Sequence, residues 1–272
     1  MNDLSAFQAF VLGALQGLAE FLPISSSAHL ALAPWAFGWP EPGLAFDVAL
    51  HVGSLVALLW YFRAEWIVMA RAALSIVVTR RVETVEQRRV ILLVIATIPG
   101  GIAGLLLEKK AETAFRAPAL TAAALIVMGA VLWIVDARAS RDRTLDSFTN
   151  RDALLAGCAQ AFALIPGVSR SGATITAGRA LGFDRASAAT FSFLMSMPII
   201  AAAALLKVPK ALAQGGVTPP LAIAVVTAAL SSVLAITVLM RFVKTRGLGV
   251  FALYRFALGA AVLALVAYRA QQ

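Results

Sequence analysis

Two short stretches of this chain carry side chains suited to chemistry. In QGLAEFLPISSSAHL, residues 16–30, Gln16 and Glu20 stand four apart and share one face of a helix that Pro23 ends. Ser25, Ser26 and Ser27 follow, placed to cap a second helix by satisfying its free N–H groups. His29 lies three residues after Ser26 and four after Ser25, so on that helix it faces the same side as both. A carboxylate, hydroxyls and an imidazole converge on one proline break. In PGVSRSGAT, residues 166–174, Pro166 and Gly167 break a helix and Ser169 caps the next. The N-terminus of that helix favours an anion. Arg170 adds a planar fork of donors suited to phosphate oxygens, and Ser171 and Thr174 add hydroxyls. A base or nucleophile on one break and an anion cradle on the other are the parts of a phosphoryl-transfer site.

The composition says which solvent surrounds them. Of 272 residues, 61% are hydrophobic, and the mean hydropathy is +0.86. A soluble domain is nearer to roughly 45–50% apolar, so much of this surface must face lipid. A helix crossing the hydrocarbon needs about 20 largely apolar residues. Residues 46–62, 90–107, 118–135, 188–206, 221–240 and 248–267 qualify, which predicts six full spans of an all-α polytopic membrane protein. A charge in mid-membrane costs roughly 2.5–3.5 kcal/mol on insertion scales. Glu20 and Arg170 each incur this, so they are expected to meet in one cavity. Read one at a time, Glu20 could be interfacial, the serines mere caps, His29 a packing residue and Arg170 a snorkelling cation. Their concentration at two breaks argues for a site.

The net charge of +9 does not point to nucleic acid, because the basic residues gather between apolar segments. Loop 63–89 carries Arg63, Arg71, Arg80, Arg81, Arg88 and Arg89, and loop 136–152 carries Arg138, Arg141, Arg143 and Arg151. Both are expected on the cytoplasmic side, with 108–117 outside. The single cysteine, Cys158, lies in an apolar run and is expected to be packing. The first apolar run shows no small-residue cleavage site, so it reads as part of the mature protein.

Two segments are not ordinary spans. Residues 6–22 include Gln16 and Glu20 and stop at Pro23; residues 153–165 are apolar for 13 positions and stop at Pro166. A helix of that length reaches only about 20 Å. Such segments read as re-entrant helices, tolerated where the broken backbone is buried in protein or lines a cavity. A shift of 144 places Gly13 on Gly157, Gln16 on Gln160, Ser25 on Ser169 and Ser27 on Ser171. Each segment is followed by an Phe-Asp pair, Phe46-Asp47 and Phe183-Asp184, and then a longer apolar run. The pattern predicts one membrane domain over 1–272, built from an internal, inverted repeat with halves 1–135 and 136–272 and the site where they meet. A site surrounded by lipid favours a lipid phosphate or diphosphate as its ligand.

QGLAEFLPISSSAH and PGVSRSGAT resemble the two signature motifs of the bacitracin-resistance type undecaprenyl-diphosphate phosphatases. The second matches the Pro-Gly-x-Ser-Arg-Ser-x-x-Thr pattern at every fixed position. FDVALHVGSLVALLWYF, RASAATFSFLMSMPI and FALYRFALGA are similar to the family as well, so the resemblance covers nearly the whole chain. Ala28 replaces a common glycine and His51 a frequent glutamine. Gln16 replaces a glutamate and leaves Glu20 as the one carboxylate of its motif.

The resemblance implies hydrolysis of undecaprenyl diphosphate to undecaprenyl phosphate and inorganic phosphate, recycling a carrier lipid for cell-wall synthesis. It implies a multi-pass protein of the inner membrane with its site facing the periplasm, an interdigitated helical repeat, and a divalent cation, Mg²⁺ or Ca²⁺. No Cys/His cluster suits zinc, so a hard cation held by Glu20 and Gln16 is expected. Expected partners are the lipid substrate and the bilayer, with no nucleic acid; a homodimer is left open. Arg170, Glu20, Ser26 and His29 are the expected catalytic residues, and Gln16, Ser25, Ser27, Ser169, Ser171 and Thr174 the substrate-binding ones. Three nucleophiles stay open: Ser26 with His29 or Glu20 as base, His29 itself, or a metal-bound water.

Two rival readings remain. A lipid phosphatase of the acid-phosphatase type would explain SSSAH, but Ala117 stands where a proline should follow Arg116, and Thr176 where a histidine should follow Arg170. A transporter or flippase for a lipid phosphate, alone or alongside hydrolysis, would also use repeats and broken helices. A carrier has no need of a serine nucleophile with its base.

Overall fold

The computed structural model describes residues 4–112 and 117–271. Among them are eleven α-helices: α1 Ala6–Phe21, α2 Ser26–Phe37, α3 Leu44–Tyr61, α4 Arg63–Thr79, α5 Val85–Glu112, α6 Pro118–Arg138, α7 Asn150–Ala161, α8 Arg170–Ala180, α9 Arg185–Gly215, α10 Pro219–Thr245 and α11 Gly249–Arg269. The only β-pairing among the described residues is an isolated bridge between Arg143 and Phe183. The fold is all-α, as expected.

Local sequence sets the ends of these helices. Ser5 and Gln8 form a capping box at the start of α1, and Thr149 with Asp152 forms another at α7. Proline opens α6 and α10. Pro23 and Pro166 lie in the breaks that end the short helices.

Five helices are long and apolar enough to span a bilayer: Val85–Leu107, Pro118–Arg138, Arg185–Pro209, Pro219–Thr245 and Gly249–Arg269. The sixth expected span, 46–62, is one arm of a bent pair. Phe46–Tyr61 and Arg63–Thr79 meet at 85°. The expected loop 63–89 is therefore corrected: most of it is α4. Arg63 and Arg71 point outward, while Met69 and Ala72 are buried on the opposite side. A helix with exposed arginines reads like a loop when only charge is counted. Most of the expected outer loop 108–117 falls on 113–116, outside the described residues, or on side chains not described.

The two short helices pack alike. α1 lies on α10 and α7 lies on α5, so each sits on a long span remote from it in sequence. Both contacts are backbone-close. A Cβ on Gly13 would stand 2.4 Å from the Ala224 carbonyl oxygen, and one on Gly157 would stand 2.5 Å from that of Ala96. Small residues permit this approach where no hydrophobic effect drives helices together. Cys158, next to Gly157, is exposed rather than packed, which corrects the expectation for it. The contact face of α7 is Ala153, Ala156, Gly157 and Gln160, and position 158 turns away from it.

Polar clusters define the two ends of the bundle. At one end Asp136, closing α6, accepts from Arg179 of α8 (3.0 Å), from Arg185 of α9 (2.7 and 2.9 Å) and from the Leu248 N–H (2.9 Å). At the same end Arg143 pairs with Asp152 at 2.5 Å. Burial pushes the Asp152 carboxyl up, but its bonds to Arg143 and Thr149 outweigh this and hold it below the ordinary carboxylate range. At the other end Arg269, closing α11, donates to the Trp35 and Ala36 carbonyls of α2. α2 therefore returns to the end where α11 finishes, and α8 to the end where α11 starts. The two hairpins, α1–α2 and α7–α8, enter from opposite sides, and their breaks meet inside.

Candidate active site

Each break is tied off by a serine in left-handed backbone. Ser25 has φ 77° and Ser169 φ 70°, values unusual outside glycine. Ser25 Oγ accepts from Ala28 N–H (3.4 Å) and, across the interface, from Gly167 N–H (3.1 Å). Ser169 Oγ accepts from Gly172 N–H at 3.1 Å. Ser27 and Ser171 sit at matching distances from them, 3.2 and 3.3 Å between hydroxyl oxygens. Ser171 also donates to the Leu22 carbonyl (3.2 Å).

Arg255 of α11 locks the two breaks together. Its guanidinium is fully buried and bonds five carbonyl oxygens: Pro23 of the first break, Gly167 and Val168 of the second, and Ala124 and Leu125 of α6. No motif spacing marks it, and its one signal in the sequence is an arginine amid the apolar FALYRFALGA.

Glu20 is the centre of the site. One oxygen accepts from Arg170 Nη2 at 2.5 Å, 150 residues away in sequence. The other accepts from Ser26 Oγ at 2.5 Å and from Gln16 Nε2 at 3.1 Å, with His51 Nε2 at 3.5 Å. Arg170 spends another donor on the Ser196 carbonyl (3.0 Å), which fixes its fork. The expected meeting of Glu20 and Arg170 is thus direct contact. Carboxylate and guanidinium offset each other where either alone would be costly to bury.

The partner of Ser26 is Glu20 and not His29. The His29 Nδ1–H donates to the Ser25 carbonyl at 2.7 Å, and Nε2 meets the Tyr254 hydroxyl at 2.7 Å with the rings stacked. The first-turn carbonyl of α2 lies within the reach of an imidazole four residues on, and it takes the ring away from Ser26. Of the two bases left open for Ser26, Glu20 is the one in contact with its hydroxyl.

A cavity of about 340 Å³ opens beside this cluster. Of the expected site residues, Glu20, Ser26, Ser27, Ser169 and Arg170 line it. Gln16, Ser25, His29, Ser171 and Thr174 do not. Thr174 Oγ1 bonds Ser192 of α9 at 2.6 Å and the Arg170 carbonyl at 2.8 Å, so it clasps α8 to α9 instead of facing the cavity. Asp47, His51 and Gln160 line the cavity without having been chosen from sequence. Each carried a weak signal: the Phe-Asp pair, the departure at position 51 and the repeat match of Gln160 to Gln16.

Among the described residues no group of three His, Cys, Asp or Glu side chains forms a metal cage. Both Glu20 oxygens already carry hydrogen bonds. Gln16 Oε1, however, is buried without a protein partner, and Asp47 adds a carboxylate to the cavity wall. This donor set is all oxygen and too sparse for a protein cage. It fits a hard cation that keeps waters and takes most of its ligands from phosphate oxygens.

Fold and cavity define a polytopic membrane protein built around an intramembrane site of serine, carboxylate and arginine. The chain belongs to the family of the bacitracin resistance protein BacA, which it matches over residues 9–261. It is 58% identical to the undecaprenyl-diphosphatase of Gemmatimonas aurantiaca over 98% of this chain and 100% of that one. It is 48% identical to the undecaprenyl-diphosphatase of Pelotomaculum thermopropionicum over 98% of each chain. That of Moorella thermoacetica is 46% identical over 96% of this chain and 98% of its own.

Proposed function

We propose that this chain hydrolyses undecaprenyl diphosphate to undecaprenyl phosphate and inorganic phosphate, recycling the carrier lipid for cell-wall synthesis. The observation that carries the reading is the Ser26–Glu20–Arg170 constellation, with both contacts at 2.5 Å, on the wall of an intramembrane cavity. A hydroxyl is a weak nucleophile until a base within hydrogen-bond reach takes its proton, and Glu20 is that base.

Arg170, with Ser27 and Ser169, holds the terminal phosphate and stabilises charge on its oxygens. Ser26 Oγ gives its proton to Glu20 as the Oγ–P bond forms. The bond from phosphorus to the bridging oxygen breaks, and its electrons leave on undecaprenyl phosphate. Water then attacks the phosphoserine, Glu20 returns the proton to the departing Oγ, and dihydrogen phosphate is released. Gln16, Ser25, Ser171, Thr174 and Arg255 hold the geometry of these groups. His29 and Tyr254 brace the first break.

A divalent cation, Mg²⁺ or Ca²⁺, is proposed with this reading. Glu20, Gln16 Oε1 and Asp47 are the oxygens that would hold it beside the diphosphate, where it would neutralise charge on the phosphate oxygens.

The inner membrane is the proposed location, with the Asp136 end in the cytoplasm. Supporting this, Arg89, Arg138, Arg143, Arg151, Arg185 and Arg246 gather at that end. A second, smaller cavity shares Leu30, Ala31 and Asp47 with the first and reaches Glu41 and Pro118 at the opposite end, which supports a periplasmic opening.

Purified protein in detergent, given undecaprenyl diphosphate, should release inorganic phosphate. Binding without release would instead favour a lipid carrier.

A further inference from the structure

Gln160 faces the cavity from the last turn of α7, only 4% exposed, and neither its amide oxygen nor its amide nitrogen has a hydrogen-bond partner in the protein. Burying a primary amide in this way is costly, and such groups in native proteins call for an explanation. Its repeat mate, Gln16, donates to Glu20 four residues on. The residue four after Gln160 is Leu164, so the second half offers no carboxylate in the equivalent place. The position is also kept open. A Cβ on Gly100 would stand 2.7 Å from Gln160 Nε2.

The placement of the amide says what it meets. The ionisable groups of the cavity, Glu20, Asp47, His51 and Arg170, come from α1, α3 and α8, and Glu20 holds Ser26. The wall from α5, the turn that follows α7, and α9 is apolar, through Gly100, Ala163, Leu164, Ile199 and Ile200, and Gln160 at the end of α7 is the polar side chain set into it. A prenyl diphosphate bound with its terminal phosphate at Ser26 and Arg170 can lay its tail on this apolar wall. Its second phosphate then falls between the two regions.

We propose that Gln160 is a substrate-binding residue whose Nε2–H donates to the phosphate that stays on the lipid. The proposal rests on the hydrolytic reading only for the identity of the ligand. It makes the second phosphate a recognised group: a prenyl monophosphate, the product, keeps the Gln160 contact, whereas inorganic phosphate seated at Arg170 does not use it. As the bridging bond breaks, charge grows on the oxygens that Gln160 faces, so the same contact strengthens towards the transition state.

The test is a pair of equilibrium titrations of the full chain in detergent, with undecaprenyl phosphate and with inorganic phosphate. Gln160→Leu should weaken undecaprenyl phosphate about tenfold, the worth of a net hydrogen bond, and leave inorganic phosphate within about twofold. Unchanged affinity for undecaprenyl phosphate would overturn the proposal. So would equal weakening of both ligands, the mark of a wall residue that only supports the cavity. Should Gln160→Leu fail to fold, Gly100→Ala, whose methyl takes the space of the amide, should give the same split. Because both readouts are binding, they stand apart from turnover: a wild-type protein that released no phosphate would refute the hydrolytic reading and leave this test readable.

Discussion

Ser25 and Ser169 cap α2 and α8 from the same left-handed conformation, φ 77° and 70°, and each accepts the N–H of the residue three further on. Ser25 does more, because its Oγ also receives the Gly167 N–H of the other break. Removing that oxygen leaves two inward-facing donors unpaired. Ser25→Ala should cost about 1–2 kcal/mol as a lost cap, with the cross-break bond in addition. Ser25→Gly loses the same bonds but relieves the backbone, so it should melt above the alanine variant. Thermal unfolding in detergent checks the order of the two.

Ser26→Ala should nearly abolish turnover while undecaprenyl diphosphate still binds, because the hydroxyl is the proposed nucleophile and Arg170 is untouched. Retention of more than about a tenth of the wild-type kcat, a loss below ~1.4 kcal/mol, would remove Ser26 from that role. Single-turnover phosphate release, measured beside lipid binding, separates the two effects.

Arg170 holds Glu20 and the Ser196 carbonyl with different nitrogens of one fork. Lysine has the charge but not the fork. Arg170→Ala should lower kcat by roughly 10²-fold or more, in line with other donors to developing charge. Arg170→Lys should recover only part of this. Full recovery by lysine would show that charge alone matters at this position.

Much of this is legible in the sequence. Pro23 and Pro166 announce the breaks because each falls between a short apolar run and a serine cluster, whereas Pro34, Pro99, Pro198 and Pro209 stand inside helices. Glu20 and Arg170 had to meet because neither charge is tolerable alone in hydrocarbon. What stayed hidden depended on direction. Spacing puts His29 near Ser26 but cannot say that its ring folds back on the Ser25 carbonyl. Thr174 is one turn beyond Arg170, and only the position of Ser192 on α9 decides that it faces away from the cavity. Arg63 and Arg71 looked like a loop because an outward arginine carries no information about the helix beneath it.

Acid should loosen the Asp136 end at Asp152. Its folded pKa is depressed, so the stabilisation from Arg143 is complete above the unfolded value, ~3.9, and is lost as pH falls through the lower folded value. Asp152→Asn should melt below the wild type at neutral pH and should flatten the acid limb of the Tm–pH curve. An unchanged acid limb would assign that sensitivity to other carboxylates.

Chelation tests the oxygen donors at Gln16, Glu20 and Asp47. Excess chelator should abolish phosphate release, and Mg²⁺ or Ca²⁺ should restore it. Full activity in chelator would leave Arg170 as the sole cation needed at the phosphate. Gln16→Leu should raise the cation concentration required for half-maximal activity, since it deletes the unpartnered Oε1.

Arg255 gives the sharpest test of the architecture, because it does not line the cavity and yet bonds both breaks that carry the proposed site. Its partners are carbonyls of Pro23, Ala124, Leu125, Gly167 and Val168, with distances from 2.6 to 3.5 Å. Arg255→Met fills similar space but leaves those carbonyls without their donor and the hairpins without their tie. At about 1–3 kcal/mol for a buried polar group left unsatisfied, several such losses together should lower Tm steeply. Arg255→Lys keeps a charge and three donors, but they radiate from one nitrogen and cannot span Pro23 and Val168 together. It should fold, with a smaller drop in Tm and a kcat several-fold below wild type, because the Ser26–Arg170 distance is then less strictly held. The arrangement of the clamp makes this coupling specific: kcat should fall with little change in the metal requirement. If Arg255→Lys lost stability but kept its full kcat, the breaks would be held in register by Ser25 and Ser171 alone.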